Sequence, residues 1–132
     1  CLATFDIKAQ GLKIISNGKI SYFDVEVSTS DAQREKGLMN RKELPSSHGM
    51  LFIFPIKEKQ CFWMKNTFIA LDILMLDDKG IVVDILHEMT PHSRRIRCSA
   101  KPIRRAIELR GGICHDRAIR IGDIVILTHK KA

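Results

Sequence analysis

At 132 residues, with 45% apolar and 28% charged side chains, the chain has the size and balance of one globular domain, which excludes a disordered polyelectrolyte and a pair of ordinary domains. Its longest apolar run, Met50 to Ile56, falls far short of the roughly 20 residues that a membrane-spanning helix needs. The net charge of +7 is concentrated late: residues 91–132 carry eleven Lys/Arg against three Asp/Glu, residues 1–90 eleven against twelve, so the last third is either a solvated face or a patch that attracts anions.

The sequence opens at Cys1 without a methionine. Two readings of that end stand side by side, the acylated first residue of an exported lipoprotein and the tail of a small-residue cleavage region. Export to the periplasm or cell surface is an expectation that this end does not itself decide, with a cytoplasmic location as the alternative. Residues 1–19 are read as an N-terminal extension carrying the first hairpin strand, residues 20–128 as the domain, and residues 129–132 as a basic tail.

Leu12–Ser16 and Ile20–Ser28 are β-branched or alternating runs joined by Asn17-Gly18, the sequence signal of a tight β-hairpin. In the second run Phe23, Val25 and Val27 alternate with Tyr22, Asp24 and Glu26, as in a strand with one buried face. Ser30-Asp31 opens a short helix toward Met39, with Gly37 an awkward residue inside it. After the loop at 44–49, Met50–Phe54 is too apolar for a half-exposed strand and is expected to be central.

Cys61–Met64, Leu71–Leu76 and Ile81–Leu86 follow as strands, the last two joined by a turn at Asp77–Gly80. Residues 87–102 show no period and read as a long functional or mobile loop. Arg104–Leu109 is a further strand, Ile113–Arg117 a short helical turn and Ile124–Leu127 a closing strand. The expected class is α+β and strand-dominated: one small domain with a curved or barrel-like, mostly antiparallel sheet and two short helices. Phe52, Phe54, Phe62, Ile73, Leu74, Val82, Ile107 and Ile124 are expected to share one core.

The cysteines Cys1, Cys61, Cys98 and Cys114 form no C-x-x-C pair and allow three disulfide pairings among which spacing does not choose; Cys61, in an apolar stretch, reads as a small free hydrophobe. His87, His92 and Cys98 supply ligand types for a metal, but Arg94, Arg95 and Arg97 would repel a dication, so no metal site is assigned. Adjacent Cys114 and His115 point in different directions on a helical turn and read as a surface pair. No nucleophile elbow, zincin, phosphate-loop or dinucleotide motif is present, and no cofactor is assigned.

The most unusual stretch is Phe62-Trp63-Met64-Lys65-Asn66-Thr67, followed by a lone carboxyl, Asp72, in the apolar run Ala70–Leu74. Burying an unpaired Asp costs several kcal/mol, so Asp72 either caps backbone amides, holds Arg34, Arg41 or Lys65, or forms the floor of a polar pocket. Only six residues separate the two strands, which places Lys65, Asn66 and Asp72 in one expected polar cluster, with Arg41 as a further cation.

Gly37-Leu38-Met39-x-Arg41-x-x-Leu44-Pro45, Gly49-Met50-Leu51-Phe52-x-Phe54-Pro55, Phe62–Thr67, Leu71-Asp72-Ile73, Pro102-x-Arg104-x-x-Ile107-Glu108-Leu109 and Ile119-x-Ile121-Gly122-Asp123 together resemble the bacterial and archaeal domain of unknown function 192 family over roughly residues 20–128. The resemblance implies a small strand-rich fold, often behind an export signal, and no established activity. Two positions depart from the family wording: Ala70 stands where proline is common, and Ala118 where glycine commonly ends the short helix.

Three functions of different kinds fit the residues. The leading one is a binding module for a small polar or anionic molecule or an interaction partner, with Trp63 as a pocket wall, Lys65, Asn66 and Arg41 as polar contacts, and Asp72 orienting Lys65. The second is a hydrolase or transferase with Asp72 as base and Lys65 or Asn66 stabilising negative charge. The third is an electrostatic adaptor for nucleic acid or anionic membrane, but the basic string from His92 to Arg110 contains no aromatic for base stacking, so nucleic acid is not the expected partner.

Overall fold

The computed structural model describes residues 8–128; Cys1 and the basic tail lie outside the described residues. Among the described residues, nine strands and two short helices follow in the order β1 (Ala9–Ser16), β2 (Lys19–Ser28), α1 (Asp31–Lys36), β3 (His48–Glu58), β4 (Cys61–Phe62), β5 (Leu71–Leu76), β6 (Val82–Met89), β7 (Arg97–Cys98), β8 (Ile103–Arg110), α2 (Ile113–Asp116) and β9 (Ile124–Thr128). No helix among them is long and apolar enough to cross a membrane.

The β1–β2 hairpin turns at Asn17 and Gly18, both at positive φ, which a two-residue turn of this hand requires and which these two residue types adopt readily. Seven strands form one sheet in the order β6-β5-β8-β3-β2-β1-β9. Every neighbouring pair is antiparallel except β2–β3, whose parallel crossover is the segment carrying α1. Backbone bonds from Val82 to Asp123 and from Val125 to Gly80, with an Ile81–Ile124 bridge, draw the outer strands β6 and β9 together at one end. The sheet is thus curled toward a barrel, as the sequence suggests, and β3 is its middle strand.

Both faces of this sheet are covered, which corrects the expectation of a single core. Leu12, Ile14, Phe23, Val25, Leu51, Leu74, Leu76, Val82, Ile107, Leu109 and Val125 come from all seven strands and fill the inside of the curl, sealed by Ile113 and Cys114 of α2. A second cluster, including Met50, Phe52, Phe54, Leu71, Ile73, Met75, Leu86 and Ala106, lies on the outer face beneath Leu38, Leu44 and Met64 from the connecting segments. Of the eight expected core residues, Leu74, Val82 and Ile107 fall in the first cluster and Phe52, Phe54 and Ile73 in the second. Phe62 packs against the second while partly exposed, and Ile124 is 43% exposed on the outer side of β9.

Further differences arise from the outer face. The helix stops at Lys36 rather than Met39: Ser30 and Gln33 form a reciprocal capping box, and Gly37, at φ 48° and ψ −127°, turns the chain out of the helix. The stretch Cys61–Met64 is a strand only at Cys61 and Phe62, which pair with β7 in a separate two-stranded ribbon. Cys61 is exposed and forms a disulfide with Cys98, not a free buried thiol, and Cys98 is thereby removed from any metal set. The 87–102 region is shorter as a loop than expected, because β6 runs to Met89. It is tied down by that disulfide, by the amide of Met64 to Ser93 O, by the amide of His92 to Thr67 O, and by the amide of Ser99 to Gln60 O.

Candidate functional site

Asp72 is completely buried on the inner face of β5 and accepts hydrogen bonds from three backbone amides: Glu88 at 2.8 Å and Gly112 at 3.1 Å on Oδ1, and Cys114 at 2.9 Å on Oδ2. Two of these donors enter and form the short helix α2, so the side chain pins α2 and the end of β6 to β5. No ion pair joins it to Lys65 or Arg41 among the described residues. The backbone-capping alternative is therefore the one the fold uses, and the cluster of Lys65, Asn66 and Asp72 expected from the short connection does not form.

The remaining sequence candidates are dispersed for local reasons. Lys65 curls back so that its Nζ lies 5.2 Å from the centre of the Trp63 ring. Asn66 is exposed at φ 53°, with its carbonyl accepting the Asn40 amide at 2.8 Å, and so ties the 62–67 segment to the turn after α1. Arg41 pairs with Glu26 and lines a cavity of about 220 Å³ together with Val27, Ser28 and Met50. Cys114 is buried, and burial first, then the neighbouring Asp72, pushes its thiol well above the ordinary range, so neither a nucleophile nor a surface pair with His115 results.

Trp63 lines a cavity with an unsatisfied acid at its floor. The cavity, of about 140 Å³, lies between α1 and the outer face of the sheet and is bounded by Arg34, Gly37, Phe52, Phe62, Trp63, Thr67 and Glu108. Phe52 and Phe62 meet edge to face at 6.3 Å between centroids, giving the chamber rigid aromatic walls. Thr67 is buried and spends its hydroxyl proton on the Lys65 carbonyl.

Glu108 sits in the middle of β8, opposite Met50 of β3 and Ile73 of β5. It is 6% exposed, and its Oε1 has no hydrogen-bond partner among the described residues. Burial in these apolar surroundings pushes its carboxyl up to about 8, so it is mainly neutral at pH 7. Directly above it is Gly37: a Cβ built there would stand 3.3 Å from Glu108 Oε1 and 3.4 Å from Phe52 Cζ. The glycine thus serves both its positive φ and the space over the acid. Sequence reasoning gave neither residue a place in the site, although Glu108 between Ile107 and Leu109 carries the same signal as Asp72, a lone acid in an apolar strand.

The chain matches the family model described as uncharacterized ACR, a domain of unknown function, over residues 12–127. It belongs to the domain of unknown function 192 family. Two solved structures share the fold of this domain of unknown function 192 chain. One, from Sinorhizobium meliloti 1021 and described as a proposed transcription regulator, is 30% identical, with a TM-score of 0.92 over 95% of this chain and 98% of that one. The other, a protein of unknown function from Novosphingobium aromaticivorans DSM 12444, is 27% identical, with a TM-score of 0.89 over 94% of this chain and 89% of that one. No curated protein matches this member of the family.

Proposed function

We propose that this domain is a small-molecule binding module whose site is the chamber under α1, with Glu108 at its floor and Trp63 in its wall. The observation that carries the reading is Glu108 itself. A buried carboxyl without a partner costs the fold free energy, and a well-packed apolar residue would serve the core better; such groups persist where a ligand supplies the missing partner. Rigid aromatic walls with one directed polar group are the usual make-up of a small-molecule site.

The chemistry expected of Asp72 as a base has no support in its surroundings, since both its oxygens are engaged by backbone amides. The Sinorhizobium neighbour's description suggests nucleic acid, but α1 and α2 are six and four residues long, too short to act as a recognition helix. The exposed Cys61–Cys98 disulfide supports an oxidising compartment, in keeping with export.

The test uses thermal stability and the fluorescence of Trp63, the only tryptophan. A panel of small amines, carboxylates, alcohols and sugars is offered to the wild type and to Glu108→Met. At least one compound is expected to stabilise the wild type and change Trp63 emission while doing neither in Glu108→Met, which should itself be more stable than wild type by about 1–3 kcal/mol at pH 7. A panel without any hit, together with a destabilised Glu108→Met, would show Glu108 to be a structural residue.

A further inference from the structure

We propose that the group received by Glu108 is a small organic cation, a primary alkylammonium, held between the carboxylate and the aromatic walls of the chamber. This rests on the binding role proposed above and names the class of ligand.

Chemical complementarity favours a cation. Glu108 is one of the residues lining the chamber with Phe52, Phe62 and Trp63, and its buried Oε1 has no hydrogen-bond partner among the described residues. An ammonium offers three donors to the carboxyl and a positive charge to neighbouring aromatic rings, whereas an anion would meet an acid. The Trp63 ring is already in use as a cation partner, since the chain's own Lys65 ammonium lies over it. A chamber of about 140 Å³ has room for a small alkylammonium.

The charged groups around Glu108 leave that role open. On α1, Arg34 is engaged by Asp31 and by the carbonyls of Thr29 and Ile53, while Glu35 and Lys36 are exposed. On the segment after β4, Lys65 is drawn to Trp63; on β8, Arg110 is exposed. The neighbouring strands present Met50 and Phe52 from β3 and Ile73 from β5. None of these cations pairs with Glu108 among the described residues.

Because burial alone holds the free carboxyl at about 8, an ammonium binds by displacing its proton. Alkylammonium affinity should therefore rise about 50-fold between pH 6 and pH 8, and about 0.9 proton should be released per ligand at pH 7. The experiment is isothermal titration of the wild type with n-butylammonium, n-butanol and butyrate, in two buffers of different ionisation enthalpy, with Trp63 emission read alongside. The expected result is butylammonium at least tenfold tighter than either analogue, with the stated proton release, and with both features lost in Glu108→Gln. Glu108→Gln is checked for folding by its circular dichroism, and Arg110→Gln serves as a surface charge control that leaves binding unchanged. If butanol or butyrate binds as well as the amine and alters Trp63 emission, the chamber is a ligand site but the cation inference is overturned. If butylammonium does not bind, or binds without proton release, the inference is likewise overturned, and the wider panel then decides the binding role by itself.

Discussion

Glu108 on β8 lies opposite Ile73 on β5, and Asp72 lies opposite Leu109, so the two buried acids are one register step apart and point to opposite faces of the same sheet. Successive side chains on a strand alternate faces, and that single step gives the two groups opposite surroundings. Asp72 on the inner face finds three amide donors from the chain around α2, whereas Glu108 on the outer face finds aromatic rings and the chamber they wall.

Asp72→Asn is expected to destabilise the domain by about 2–4 kcal/mol. An amide can turn its oxygen to the Glu88 and Gly112 donors only by setting its own N–H₂ against the Cys114 amide. Denaturant unfolding measures the loss, and an unchanged midpoint would show that α2 is held by other contacts.

Glu108 makes stability depend on pH in the direction opposite to a salt-bridged acid. Its carboxyl is raised from 4.5 to about 8, so below pH 4.5 it is neutral in both states and costs nothing extra. Between those values the unfolded chain has lost a proton that the native chain keeps, and stability falls as pH rises, levelling off above about 8. The full penalty is about 5 kcal/mol, since each tenfold loss of acidity is worth about 1.4 kcal/mol. Unfolding of wild type and Glu108→Gln at pH 4.5 and pH 8.5 should show the variant gaining on the wild type across that range, and parallel pH profiles would refute the assignment.

Ala118 ends the chain segment after α2 at φ 53°, with its carbonyl accepting from Ser16 Oγ at 2.7 Å. A left-handed alanine is strained by its Cβ, a strain that glycine would not carry. Ala118→Gly should raise stability by about 1 kcal/mol, a gain that thermal melts would detect; a loss would mean that the methyl group packs usefully.

Much of the fold was legible because the patterns were local. The Asn17-Gly18 turn, the alternation of Tyr22–Val27 and the apolar run Met50–Phe54 each fix a strand by composition alone. The site was not, because it depends on which face each acid reaches. Chain proximity between Met64 and Leu71 suggested that Lys65 would meet Asp72, but Asp72 points inward, away from the 62–67 segment, and Lys65 folds over Trp63. Glu108 was readable as a lone acid between Ile107 and Leu109, but its surroundings come from Gly37 and Phe52, 71 and 56 residues earlier in the chain. The Cys61–Cys98 pairing likewise needed the β4–β7 ribbon, which has only two residues in each strand and too little sequence to announce itself.

Replacing Cys61 and Cys98 by alanine should cost about 2–4 kcal/mol, since the bond closes a loop spanning 37 positions. Because Trp63 follows β4 directly, reduction should also alter its emission without global unfolding. Loss of stability with unchanged Trp63 emission would indicate that the ribbon does not shape the chamber wall.

The most direct test of a binding role for Glu108 is the titration of its side-chain carboxyl followed by carbon NMR in the ligand-free protein, with Glu108→Gln to assign the signal. A midpoint near 8 is expected for an acid held unpartnered beneath the chamber. A midpoint in the ordinary glutamate range, about 4.3, would contradict that role, because it would mean that Glu108 already has water or a partner of its own.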